Sequence, residues 1–117
     1  MERTVIFQHV EDQYGIQPEY LWSKYPSYAI LRQPQNHKWF AILMDVSADK
    51  LGLLTEQSVP IMVIKLEPEA VESLQADPAF LPAYHMNKSH WVSARLDQIS
   101  TEESYRLLEH SYTLVSG

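Results

Sequence analysis

Tyr28-Ala29-Ile30-Leu31-Arg32-Gln33-Pro34-Gln35-Asn36-His37-Lys38-Trp39-Phe40-Ala41-Ile42-Leu43-Met44-Asp45-Val46 is the stretch that decides the fold. A short apolar run from Tyr28 to Arg32 leads into the turn residues Pro34-Gln35-Asn36-His37. The chain then returns as a longer, mostly apolar run from Lys38 to Val46. Two strand-sized runs joined by such a turn are the pattern of a β-hairpin. A hairpin predicts antiparallel pairing.

Towards the C-terminus, Ser47 to Ser58 reads as a loop with one helical turn, and Val59 to Leu66 as a third strand. Pro60 near its start predicts either a sheet edge or the beginning of a strand, because proline cannot donate to a ladder. Glu67-Pro68-Glu69 opens a short helix that runs to about Gln75, with Pro68 at the first helical position and acids suited to the helix dipole. Asp77-Pro78 ends it. Trp91 to Asp97 alternates cleanly. Val92, Ala94 and Leu96 fall on one face, predicted to meet the helices, so Trp91 and Arg95 should project from the opposite face. Ser100-Thr101-Glu102-Glu103 is a capping box, and Tyr105, Leu108, Tyr112 and Val115 continue it as a core-facing stripe.

Towards the N-terminus, Val5, Ile6, Val10 and Tyr14 recur at near-helical spacing, and Gly15 is a natural left-handed stop. Ile16 to Pro26 is a connector whose Tyr20, Trp22 and Tyr25 cover one end of the core. The order is helix, three strands, short helix, strand, helix. It predicts an α+β domain, a mainly antiparallel sheet with helices packed on one face and the other face comparatively open.

With 117 residues, 45% of them hydrophobic, the chain is long enough for a real core and reads as one domain, residues 1–117. No apolar run reaches the length of a bilayer span, and Met1-Glu2-Arg3-Thr4 lacks the layout of a signal peptide. The absence of cysteine excludes a disulfide framework, a thiol nucleophile and a Cys-based zinc site. A cytoplasmic monomer with no membrane partner is expected. The net charge of −6 means that any contact with nucleic acid needs a local basic patch to outweigh the rest of the chain.

Chemistry concentrates in Leu81-Pro82-Ala83-Tyr84-His85-Met86-Asn87-Lys88-Ser89-His90-Trp91, with a shorter echo in Asn36-His37-Lys38-Trp39-Phe40. Trp91 beside Lys88 and His90, with Arg95 two pleats on, would suit a stacking or groove-reading surface. Lys38 leads into Trp39 at the turn, as on a projecting wing. Against this stands a purely structural role: aromatic residues fill the ends of small cores, and His85 and Asn87 can brace an irregular backbone. His85 and His90 are five apart on an irregular segment, not the i, i+4 pair of a zinc protease helix, so no metal site is expected. Ser89 and His90 are adjacent, which on a strand turns their side chains to opposite faces and leaves them poorly placed as nucleophile and base. With three glycines there is no phosphate-cradling loop and no nucleophile elbow.

The chain resembles the MmcQ/YjbR family of small bacterial proteins. The resemblance is carried by Tyr20-Leu21-Trp22 with Pro26, by Lys38-Trp39-Phe40-Ala41, by Leu51-Gly52-Leu53, by Pro82-Ala83-Tyr84-His85-Met86-Asn87-Lys88, by His90-Trp91 and by Ser111-Tyr112. It covers nearly the whole chain. It implies a CyaY-like (frataxin-like) two-layer α+β sandwich and DNA binding through a double-wing-like surface, and together with the lack of a catalytic motif it leads to the expectation of a non-enzymatic binding module. On that reading Lys38, Lys88 and Arg95, with Arg32 in support, hold phosphates, while Trp39 and Trp91 stack or wedge. The alternative is a protein-interaction or small-ligand domain whose aromatic pocket lies under His85 and Trp91, with Tyr84, Asn87 and His90 as motif residues. The iron site that the frataxin side of the resemblance suggests is not carried over, because the first helix offers only Glu2, Glu11 and Asp12. No cofactor is expected.

Overall fold

A computed structural model describes residues 1–117. The elements are α1 (Arg3–Tyr14), β1 (Ala29–Arg32), β2 (Trp39–Ser47), a 3₁₀ turn (Ala48–Leu51), β3 (Ser58–Lys65), α2 (Pro68–Leu74), β4 (Phe80–Pro82), β5 (Trp91–Arg95) and α3 (Thr101–Val115). The strands form one antiparallel sheet in the order β1-β2-β3-β5-β4. The fold is the expected α+β sandwich, with all strand neighbours antiparallel.

The helix boundaries follow from local chemistry. Gly15 takes a left-handed φ of 67° and its N–H returns to the Glu11 carbonyl, closing α1. Pro68 opens α2. The Ser100 hydroxyl accepts from the Glu103 N–H at 3.1 Å, the cap predicted for α3. Leu108 and Val115 of the predicted stripe are buried, while Tyr105 and Tyr112 are half-buried and stack on His9 and Tyr14 of α1. In α1, Ile6 and Val10 are buried but Val5 lies outward.

Two apolar clusters sandwich the sheet. The larger joins Ile6, Val10, Leu108 and Val115 of the helices to Leu31, Leu43, Met62, Ile64, Val92 and Ala94 of the sheet. The smaller lies on the other face, where Ile30, Ile42, Met44, Ile61 and Val63 meet Trp91, with Tyr28, Trp39, Tyr84 and Met86 packed over them. That face was expected to be open. It is instead roofed by aromatic side chains and loops, because alternation puts apolar residues on both faces of β2 and β3.

Of the two readings of Pro60 the second holds: β3 is the central strand, and Pro60 stands at its entry rather than on an edge. The Pro60 carbonyl accepts from the Leu96 N–H just beyond the end of β5, and the Leu96 carbonyl, which a proline cannot serve, accepts from the Met1 ammonium at 3.2 Å instead. Phe80–Pro82, where the sequence reading assigns no strand, pairs with β5 as a short outer strand. A backbone bridge between Glu19 and Ile30, with N–H···O bonds of 2.9 and 2.8 Å, ties the connector to β1.

Candidate functional site

The site begins with a β-bulge. Leu31 pairs with Ala41 but Arg32 pairs with Trp39, so Phe40 is an extra residue in β2. The bulge resets the alternation. Phe40 and Ala41 both join the helix-side core, and Trp39 swings to the opposite face with Ile42 and Met44. The Phe40 carbonyl accepts from the Ser111 hydroxyl of α3 at 2.9 Å, and its ring meets Tyr112 edge-on.

On the face reached by Trp39, aromatic side chains enclose a cavity of about 210 Å³. Trp22 stands nearly perpendicular to Trp39 (5.9 Å, 89°) and to Tyr28 (6.0 Å, 78°). Tyr25 stacks on Tyr28 at 4.9 Å. Ile42 and Met44 of β2 form the inner wall, and His85 and Met86 close it from the motif. Burial pushes the Tyr28 phenol above its ordinary value, with Tyr84 and Tyr25 adding to the shift. No carboxylate, ammonium or guanidinium lines the cavity.

The motif that supplies His85 and Met86 is braced by its own side chains. The Tyr84 N–H donates to the buried Ser93 hydroxyl at 3.0 Å. Asn87 Oδ1 accepts from the N–H groups of Ser89 (2.8 Å) and His90 (3.1 Å). Lys88 Nζ reaches back to the Ala83 carbonyl at 2.9 Å. His85 takes a left-handed φ of 60° and its ring lies 4.0 Å from that of Tyr84. A left-handed non-glycine residue at a cavity rim is a strained position held by its surroundings.

The residues expected to hold phosphate are dispersed. Trp91 is only 6% exposed, packed in the smaller cluster, and has no face free for stacking. Alternation placed it on the correct face, but that face is covered. Arg95 forms a two-pronged pair with Asp97 (3.2 and 2.9 Å), and Arg32 pairs with Glu19 at 2.8 Å. The ammonium of Lys88 is engaged as described. Lys38 is exposed and forms no ion pair, and it lines a separate cleft of about 260 Å³ together with Lys65, His90 and the carboxylate residue Glu67. The hairpin turn is not a free wing. Asn36 Nδ2 donates to the Val115 carbonyl (2.6 Å) and Gln33 Nε2 to the Ser116 hydroxyl (3.1 Å), which pin it to the end of α3.

Sequence reasoning placed Trp22 and Tyr25 over one end of the core and did not join them to Trp39 and His85. The available signal was three large aromatics, Tyr20, Trp22 and Tyr25, within the short segment between Pro18 and Pro26.

The family model described as YjbR matches residues 12–114. The chain belongs to the YjbR family. It is 42% identical over 115 residues to a Bacillus subtilis (strain 168) protein named "Uncharacterized protein YyaQ", covering 97% of this chain and 98% of that one. A crystal structure of a Pseudomonas syringae protein superposes with a TM-score of 0.93 at 37% identity, covering 97% of this chain and 98% of the other. A Deinococcus radiodurans crystal structure, described by the domain DUF419, matches with a TM-score of 0.69 at 23% identity over 93% of this chain and 75% of that one, a likeness of fold. The resemblance to YjbR proteins read from the motifs is thus confirmed for almost the whole chain. No helix of the fold is long and apolar enough to cross a membrane.

Proposed function

We propose that this YjbR protein is a cytoplasmic, monomeric, non-enzymatic binding module whose ligand enters the aromatic pocket between the connector, β2 and the His85–Met86 rim. The observation that carries this reading is the pocket itself. It is a concave, mostly apolar recess with a single imidazole among its lining groups, the usual character of a ligand site. Trp22 and Tyr25 remain 36% and 52% exposed at its mouth, a placement that leaves costly apolar surface in water unless something covers it. The test is a fragment screen followed by thermal shift and by NMR of the indole N–H signals. Ligands that raise the Tm and move the Trp22 and Trp39 signals support the reading. A library that moves neither signal overturns it.

DNA binding is a second reading, favoured by the cleft that gathers Lys38, Lys65 and His90. Neither lysine is paired with a carboxylate, in contrast to Arg32 and Arg95. Two lysines make a weak phosphate footprint on a chain of net charge −6. Titration of duplex and single-stranded DNA at rising salt tests it. A salt slope reduced by about one in Lys38→Ala supports phosphate contact, and no binding at low salt removes the reading.

A further inference from the structure

We infer that the ligand group held in the aromatic pocket is a trimethylammonium-type cation. The inference rests on the pocket reading above and adds the chemical class of its occupant.

Four of the lining residues carry aromatic rings set at different angles. Trp22 is nearly perpendicular to both Trp39 and Tyr28, and Tyr25 lies parallel to Tyr28. A cation seated among such rings is attracted by the negative faces of their quadrupoles, most strongly by tryptophan. A primary ammonium or a guanidinium would bring three to five N–H donors, for which the lining offers two phenol oxygens, one imidazole and no carboxylate. A trimethylammonium group has no N–H to satisfy and presents methyl groups to the rings. An anion finds no fixed cation among the lining groups and meets a chain of net charge −6, whereas a cation is drawn towards it.

Size narrows the choice further. At about 210 Å³ the cavity lies below the range of roughly 300–1,000 Å³ typical of drug-sized ligands, so it suits a compact head group with the rest of the molecule outside. Met44 and Met86 add polarisable, flexible wall that can close around methyl groups. The same head group occurs on a free choline-like metabolite and on a trimethylated lysine side chain.

The test titrates the full chain with choline, with a trimethyllysine peptide, and with the neutral alcohol that carries a tert-butyl group in place of the trimethylammonium, at matched ionic strength. Indole N–H signals report occupancy. Choline or the peptide is expected to move the Trp22 and Trp39 signals and leave buried Trp91 unmoved, and the tighter of the two identifies the source. The neutral analogue should bind about tenfold more weakly, and Trp22→Leu should weaken the cation by a similar factor, in line with a desolvated cation–π contact. Trp22 is partly exposed, so the variant keeps the fold. If the neutral analogue binds as tightly as choline, the cation class falls and the pocket reading stands. If the cations leave both signals unmoved while fragments from the screen shift them, the class falls in the same way. If cations and fragments alike leave them unmoved, both readings fall.

Discussion

Ser111 and Phe40, 71 residues apart in sequence, meet where the hydroxyl of α3 donates to the carbonyl of the β2 bulge at 2.9 Å. Ser111 is fully buried. The bond holds the one irregularity that sends Phe40 to the helix side and Trp39 to the pocket side. Ser111→Ala removes the donor and leaves a buried acceptor, which should cost about 1–3 kcal/mol in urea unfolding. The Trp39 indole N–H signal should shift as well. An unchanged Trp39 signal would detach the bulge from the pocket.

Trp91 is a core residue. Truncation to alanine should cost about 3–5 kcal/mol, the range for a large buried aromatic. Trp22→Ala, at the pocket mouth, should cost much less in the same denaturation experiment. Equal losses would contradict the burial that separates the two tryptophans.

Asn87 ties two successive backbone N–H groups of the motif through one side-chain oxygen. Asn87→Ala should lower stability by about 1 kcal/mol, and Lys88→Met, which frees the Ala83 carbonyl, by a comparable or smaller amount. Amide hydrogen exchange should rise locally at Ser89 and His90 in the first variant and stay unchanged in the helices.

Glu67 and His110 form a 2.6 Å contact between the residue before α2 and the surface of α3. The hydrogen bond from His110 holds the Glu67 carboxyl below its ordinary value. The stabilisation it gives is therefore complete above pH 4.5 and lost as pH falls through the depressed folded value. Carboxyl-detected NMR titration should place the Glu67 midpoint below 4.5 in the native protein and closer to it in His110→Ala. Both side chains are well exposed, so the stability difference should stay under about 1 kcal/mol.

His9 stacks flat on Tyr105 at 3.6 Å and joins α1 to α3. Burial pushes its imidazole below the ordinary value, against the opposing pull of Asp12 and Glu109. The unfolded chain thus takes up this proton at a higher pH than the fold does, and stability falls as pH drops below 6.5. His9→Phe keeps the stack and removes the proton. Urea midpoints measured across this range should fall less steeply for the variant than for the native protein.

The order of elements was legible because helices and strands write their periods into the chain. The Ser100 cap, the Gly15 stop and the Tyr28–Val46 hairpin all stand where local chemistry puts them. The Phe40 bulge was not legible: it depends on Ser111 and Tyr112, which lie far away in sequence. Alternation assigned Trp91 to its face but could not say that Tyr28, Tyr84 and Met86 lie over that face. Of the pocket, only His85 was legible as a lining residue: Trp39 reads as part of a DNA-facing wing, Trp91 in place of Trp39 as the pocket tryptophan, and Trp22 and Tyr25 lie in a segment that has no period to read. The ion pairs of Arg32 and Arg95 were equally invisible, and they explain why scarce cations near tryptophans did not add up to one basic surface.

The outer strands of the sheet also bear on how the molecule behaves in a crowded solution. β4 is three residues long and ends in Pro82, and β1 is four residues long with part of its outer side already taken by Glu19. Neither offers a long row of vacant amides and carbonyls on which a foreign strand could template itself. Intermolecular β-pairing, strand exchange between copies and fibril seeding from the native state are all disfavoured by this trimming. A partner therefore has to recognise side chains, and the protein should stay dispersed at concentrations where an untrimmed sheet of this size would associate.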